Sequence, residues 1–337
     1  FADPISPLPP DHAALLERLA QVEIVAIPSE DGTAIGDGIV RAIEMLRDTA
    51  SASRVMILLT DGLANVGITD ADELAMHAAE LRARGVSTST FGVGTDFDER
   101  LLAAMADAGG GHFYLIANGA QIRDHIASEV GETLEVTARD VVVEIDAPAS
   151  VRVDLLSPFR LERRGSRTLV HLGDMVSGQL IRIVLRLTFD FGEVGREVGA
   201  MIGLADRDGA FAGAVRAAAP VSVAWAYADH AANDHQERDR VVDRVVARTF
   251  AAQAQQEAVR LNREGRYEEA SAALDGVRRR VAAYAGTDAE LNAIVAELRT
   301  DMPAFSAAMP EMDRKQRHYA SYAVQSSRAP DGRSTRS

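Results

Sequence analysis

"RVMILLTDGLANVG", residues 54–67, decides the fold. An apolar run from Val55 to Leu59 is stopped abruptly by a threonine, an aspartate and a glycine. A run of this length, rich in branched side chains and closed by an Asp-Gly turn signal, reads as a strand buried on both faces. Strands of that kind belong to parallel sheets covered by helices on both sides. Asp61 then stands at the carboxyl end of a central strand, where open α/β sheets bind their ligands. Its other reading is purely local: an aspartate that opens a turn.

The flanking sequence, up to about residue 136, alternates helical and strand periods. "TAIGDGIVRAIEMLRD" puts Ile35, Ile39, Ala42, Ile43 and Leu46 on one helical face. "TDADELAMHAAELRARG" opens with a capping-box pattern at Thr69 and Asp72 and closes on Gly85. "VSTSTFGVG" predicts the next strand, and "TDFDERLLAAMADAGGG" repeats the helical device with Thr95 and Asp98 at its start. "HFYLI" is a short strand and "IRDHIASEVGETL" a closing helix. Alternation of this kind implies an α/β fold, a doubly wound parallel sheet with right-handed crossovers.

From 137 to 228 the period changes. "DVVVEID", "SVRVDLL", "RTLVHLG", "QLIRIVLRLTF", "EVGAMIGLAD" and "APVSVAWAYAD" are short runs with turn residues between them, the pattern of a small β-sandwich. Residues 229–312 return to helical spacing. Val242, Val246, Phe250, Ala254, Ala258 and Leu261 step by threes and fours, and a second series runs from Tyr267 to Tyr284. "TDAE" at 287–290 caps a further helix, so this region reads as a helical hairpin or small bundle. From Asp313 the chain turns polar, and residues 313–337 are expected to be disordered.

Composition narrows the function. The chain of 337 residues has no cysteine, which excludes disulfides, zinc-thiolate sites and thiol catalysis. A formal charge of -14 argues against nucleic acid as a partner. No apolar stretch approaches the roughly 20 residues that span a bilayer. "FADPISPLPP" at the start has neither an initiator methionine nor the layout of a signal peptide, so the compartment stays open, with the cytoplasm favoured.

"EDGTAIGDGI" (30–39), "RVMILLTDGLANVG" and "GVSTSTFGVGTDFDERLLAAMADAGGGHFY" recur in one order, and together they resemble the von Willebrand factor type A domain. The resemblance covers residues 1–136 and matches that domain's last strands and helices. With "TARDVVVEID" and the β-rich segment behind it, the chain is similar to bacterial proteins related to inter-alpha-trypsin inhibitor heavy chains and calcium-activated chloride channel regulators. The family implies a metal-ion-dependent adhesion site, assembled from an Asp-x-Ser-x-Ser loop, a threonine before a later helix and an aspartate after the fourth strand. Thr33 and Asp61 match the second and third positions. No Asp-x-Ser-x-Ser occurs in the chain. "FAD" resembles the end of the family's second strand, so the resemblance implies a truncated sequence, with the first strand and its serine loop lying upstream.

Magnesium takes near-octahedral oxygen ligands and retains waters, so a few carboxylates with hydroxyls serve it. The resemblance thus implies Mg2+, or Mn2+ or Ca2+, held by Thr33, Asp61 and the upstream loop, with a protein partner completing the shell through an acidic residue. The implied function is a non-catalytic interaction module. The alternatives are a scaffold or assembly factor with a vestigial metal site, and a metal-dependent hydrolase. The second of these lacks any nucleophile elbow or paired histidine-glutamate motif. His230 and His235 read as part of a solvated linker, His112 as a packed or solvated side chain, and Gly109, Gly110 and Gly111 as a tight helix-to-strand turn.

Overall fold

Residues 35–46, 54–211, 219–329 and 332–336 are described by the computed structural model, and Thr33 lies outside them. The chain divides into two compact units, Phe1–Val136 and Thr137–Ser337.

In the first unit, strands β1 (Arg54–Thr60), β2 (Val86–Val93) and β3 (Gly110–Ile116) form a parallel sheet in that order. Alternate side chains point to opposite faces. Met56 and Val86 pack with Ile35 and Ile39 of α1 (Ile35–Leu46), Leu74 and Leu81 of α2 (Ala71–Ala83), and Leu101 and Met105 of α3 (Glu99–Gly109). On the other face Phe91, Tyr114 and Ile116 meet Ile122 and Ile126 of α4 (Ala120–Leu134). Helices cover both faces, as the apolar run predicts. Burial differs strand by strand, however. Among the described residues β1 pairs with β2 alone, and Leu59 is 43% exposed. The most buried strand is β2, enclosed from Thr88 to Gly92, whose Thr88, Ser89 and Thr90 are polar.

Both predicted capping boxes shift by a residue or more. Asp70, not Thr69, caps α2 by accepting from the Glu73 amide, and Asp98, not Thr95, caps α3 by accepting from Arg100 and Leu101. An aspartate nearer the first turn reaches those amides directly, and its charge suits the helix amino terminus.

The second unit begins with β4 (Val136–Asp146), β5 (Val151–Leu155), β6 (Arg160–Arg164), β7 (Arg167–Val176), β8 (Leu185–Phe189), β9 (Glu197–Ala205) and β10 (Val221–Ala226). One sheet has the order β10-β9-β4-β7-β6 and the other pairs β5 with β8. Val143, Ile145, Val170 and Val198 of the larger sheet pack against Val151, Val153, Leu185 and Leu187 of the smaller, which makes the sandwich. His230 and His235 lie in and beside a short exposed helix, α5 (His230–Asp234). A bundle follows: α6 (Arg240–Arg263), α7 (Tyr267–Ala285) and α8 (Ala289–Phe305) bury Ala258, Leu274, Val281, Ile294 and Phe305. Asp288 caps α8 and pairs with Arg244 at 3.0 Å; the hydrogen bond from Arg244 holds its carboxyl below the usual carboxylate range.

The described residues from 313 on do not form a disordered tail. Glu311–Gln325 forms a further helix, α9, with Tyr319, Tyr322 and Ala323 buried. Its polarity misleads because docking uses polar contacts. Arg317 pairs with Asp301 at 2.7 Å, the Ser321 hydroxyl donates to Gln255, and Arg314 donates to buried Asn262. Asn262 also donates to the carbonyls of Phe305 and Ala307. Beyond α9, Arg336 bridges to Gln179 and the Leu180 amide donates to the Thr335 carbonyl at 2.8 Å.

Removing residues 311–337 is expected to destabilise the second unit by about 3 kcal/mol or more, since the apolar burial made by Tyr319 and Tyr322 and the partners of Asp301, Gln255 and Asn262 are lost together. Denaturant unfolding measures it, and an unchanged midpoint would restore the disordered reading. Asp288→Asn tests the cap. A depressed carboxyl stabilises above its unfolded pKa and loses that contribution as pH falls through the folded value. The variant should therefore be less stable than wild type at neutral pH, and the gap should close on acidification.

Candidate functional site

Two places on the parallel sheet hold chemistry. At the carboxyl end, Asp61 follows β1 directly and is exposed. The turn it stands in is closed by its neighbour: the Gly62 amide donates to the Thr60 hydroxyl oxygen at 3.3 Å, and that hydroxyl donates to the Gly62 carbonyl at 3.1 Å. Among the described residues the Asp61 carboxylate makes no hydrogen bond or ion pair. It is therefore not the side chain that holds the turn. Asp98 is consumed as the cap of α3, and the Thr95 hydroxyl donates to Asp96.

Does this end fit a divalent cation? Asp61 fits the part of one charged oxygen ligand. The described residues do not complete a shell, because Thr33 lies outside them and the chain contains no Asp-x-Ser-x-Ser loop. No group of three or more metal-type ligands within reach of one another occurs at this end among the described residues.

The sheet face under α4 carries a group that sequence reasoning passed over. Ser89 of β2, His112 and Tyr114 of β3, and Glu129 and Glu132 of α4 come together there. Glu129 is 4% exposed and accepts from the Ser89 hydroxyl at 2.5 Å and the Tyr114 hydroxyl at 2.6 Å. Its Oε2 also lies 3.1 Å from His112 Nδ1. The local sequence explains the gathering. Gly110 ends α3 in the left-handed conformation, and a Cβ on Gly111 would lie 2.2 Å from the Thr88 carbonyl oxygen. β3 can therefore enter close beside β2, with a register shift between Thr88 and Thr90 that brings the His112 amide to the Ser89 hydroxyl at 3.0 Å. The triple glycine was a readable signal of that entry. Nothing in the spacing of His112 and Glu129 announced their contact.

The second unit holds a groove of about 400 Å³ lined by Arg182, Arg244, Arg248, Arg328, Val241 and Val324, among others. Two of its arginines are already matched: Arg244 pairs with Asp288 and Glu290, and Arg248 with Glu297.

Comparison with known proteins agrees with the fold. Residues 10–128 match the von Willebrand factor type A domain. The chain is 31% identical over 143 residues to Uncharacterized protein YfbK of Escherichia coli (strain K12); the match takes in 40% of this chain and 24% of that relative. The chain thus spans about a quarter of the length of the curated relative it matches. A solved structure, von Willebrand factor type A from Catenulispora acidiphila, aligns with 96% of this chain and 74% of its own at a TM-score of 0.64 and 18% identity. That likeness is one of fold, and it reaches beyond the type A segment. The ArnB paralog VWA2 from Sulfolobus acidocaldarius aligns at a TM-score of 0.45 and 14% identity, over 90% of this chain and 73% of its own.

In the type A segment the buried carboxylate of Glu129 gives a direct test. Glu129→Ala leaves the Ser89 and Tyr114 hydroxyls without their acceptor and is expected to destabilise the unit by about 3 kcal/mol. Tyr114→Phe removes a single donor and should cost about 1 kcal/mol. Chemical denaturation followed by circular dichroism ranks the two.

Proposed function

We propose that this chain is a non-catalytic protein-interaction module, in which Asp61 and Thr33 help to hold a divalent cation that an acidic side chain of the partner completes. Type A domains often mediate metal-dependent protein interactions, and residues 10–128 match that domain. The observation that carries the reading is the state of Asp61. Its carboxylate is exposed at the carboxyl end of a parallel strand, and the turn around it is bonded through Thr60 instead. An anionic group kept in water and unused by the fold is available to a ligand.

Magnesium is the cation best suited to so few carboxylates, with Mn2+ and Ca2+ as alternatives. When bound, the cation supplies an incompletely neutralised charge that attracts a carboxylate. Asp61 contributes charge and Thr33 a neutral oxygen; the remaining oxygens belong to an Asp-x-Ser-x-Ser loop, which residues 1–337 do not contain. The partner is a protein with an exposed acidic side chain rather than nucleic acid, in keeping with the net charge of -14. No helix among the described residues is long and apolar enough to cross a membrane.

A scaffolding role is the second reading, and it is favoured because the described residues bring no group of three metal-type ligands together at this end. Calorimetric titration separates the two, using the protein together with whatever segment precedes Phe1. Magnesium or manganese should bind at one site, and Asp61→Ala should weaken it by about two orders of magnitude while the fold is retained. Thr33→Ala should weaken it less, because a water can replace a hydroxyl oxygen. Partner capture should be lost on chelation. Equal metal affinity in folded Asp61→Ala would sink the adhesion reading and leave the scaffold.

A further inference from the structure

We infer that the first unit has a second cation site, on the sheet face that α4 covers, in which His112, Glu129 and Glu132 bind a zinc-class ion. Each of these side chains offers one ligand atom, and the three atoms lie within 4.8 Å of one another. Glu129 and Glu132 are 4% and 8% exposed, so both carboxylates are held inside the protein. They stand one turn apart on α4, the spacing that puts two side chains on one helical face. His112 is delivered from β3 by the register shift beside Thr88 and Thr90, and bulges of this kind re-aim side chains next to functional sites.

Distances favour ligation. Two ligands on a tetrahedral ion with bonds of about 2.0–2.1 Å are roughly 3.4 Å apart. His112 Nδ1 and Glu129 Oε2 are separated by 3.1 Å. A divalent cation beside two enclosed carboxylates would offset their charge. Glu129 is also oriented as a ligand should be. The Ser89 and Tyr114 hydroxyls donate to it, which is how outer hydrogen bonds fix a coordinating carboxylate.

The donor set selects the ion. One imidazole nitrogen and two carboxylates suit zinc better than magnesium, which prefers oxygen alone. Three protein ligands leave a fourth position for water. The site shares no residue with the proposed adhesion site and does not depend on it.

The full chain, stripped with chelator and titrated calorimetrically with zinc chloride, tests the proposal. Wild type and Asp61→Ala should each take up one equivalent, and zinc should raise the thermal midpoint of wild type. His112→Gln and Glu132→Gln, checked for retained circular dichroism, should lose at least about 100-fold in affinity. Failure of wild type to bind zinc or to gain thermal stability overturns the site. So does an undiminished equivalent in both variants. In either case Glu129 is only a hydrogen-bonded clamp between β3 and α4.

Discussion

Ser89 lies in the middle of β2 with no solvent contact, flanked by Thr88 and Thr90 in the same condition. A strand covered by helices on both faces is ordinarily apolar, because each buried hydroxyl needs a partner. Here two of the three hydroxyls are used to bind the surrounding elements. Thr90 donates to the Leu102 carbonyl of α3 at 2.7 Å, and Ser89 donates to Glu129 of α4. Phe91 and Tyr114 stack at 4.6 Å beside that contact. The polar middle strand thus fixes how α3 and α4 seat on opposite faces, where apolar packing alone would tolerate sliding. Among the described residues the Thr88 hydroxyl is buried without a hydrogen-bond partner.

Much of this architecture was legible because it rests on period. Val55 to Leu59 announced a strand, Ile35 and Ile39 a helical face, and the change of period near residue 137 announced the sandwich. What escaped notice rests on contact rather than spacing. α9 has few aliphatic residues, so its polar sequence read as solvated, whereas Arg314, Arg317 and Ser321 each find a partner on the bundle. The caps show the same limit on a smaller scale. "TD" pairs precede both α2 and α3, and only backbone geometry decides which oxygen reaches the amides.

The site divides along the same line. Asp61 could be singled out because a motif ends on it. His112 and Glu129 could not, since their approach depends on β3 entering beside Gly111 and on the direction in which α4 returns. Titratable groups on successive elements of a parallel sheet meet only if strand register and helix phase are both known. A lone histidine after three glycines carries neither.

The polypeptide's last described residues also close an early part of the second unit. The Arg182 amide donates to the Ser327 hydroxyl across 145 positions, and Leu180 and Gln179 are held by Thr335 and Arg336. Non-local pairing of this length must await synthesis of the residues that make it. On the ribosome, the connection between β7 and β8 emerges long before its covering strand of chain exists. A nascent protein therefore carries an unfinished flank of the sandwich through the whole translation of the bundle.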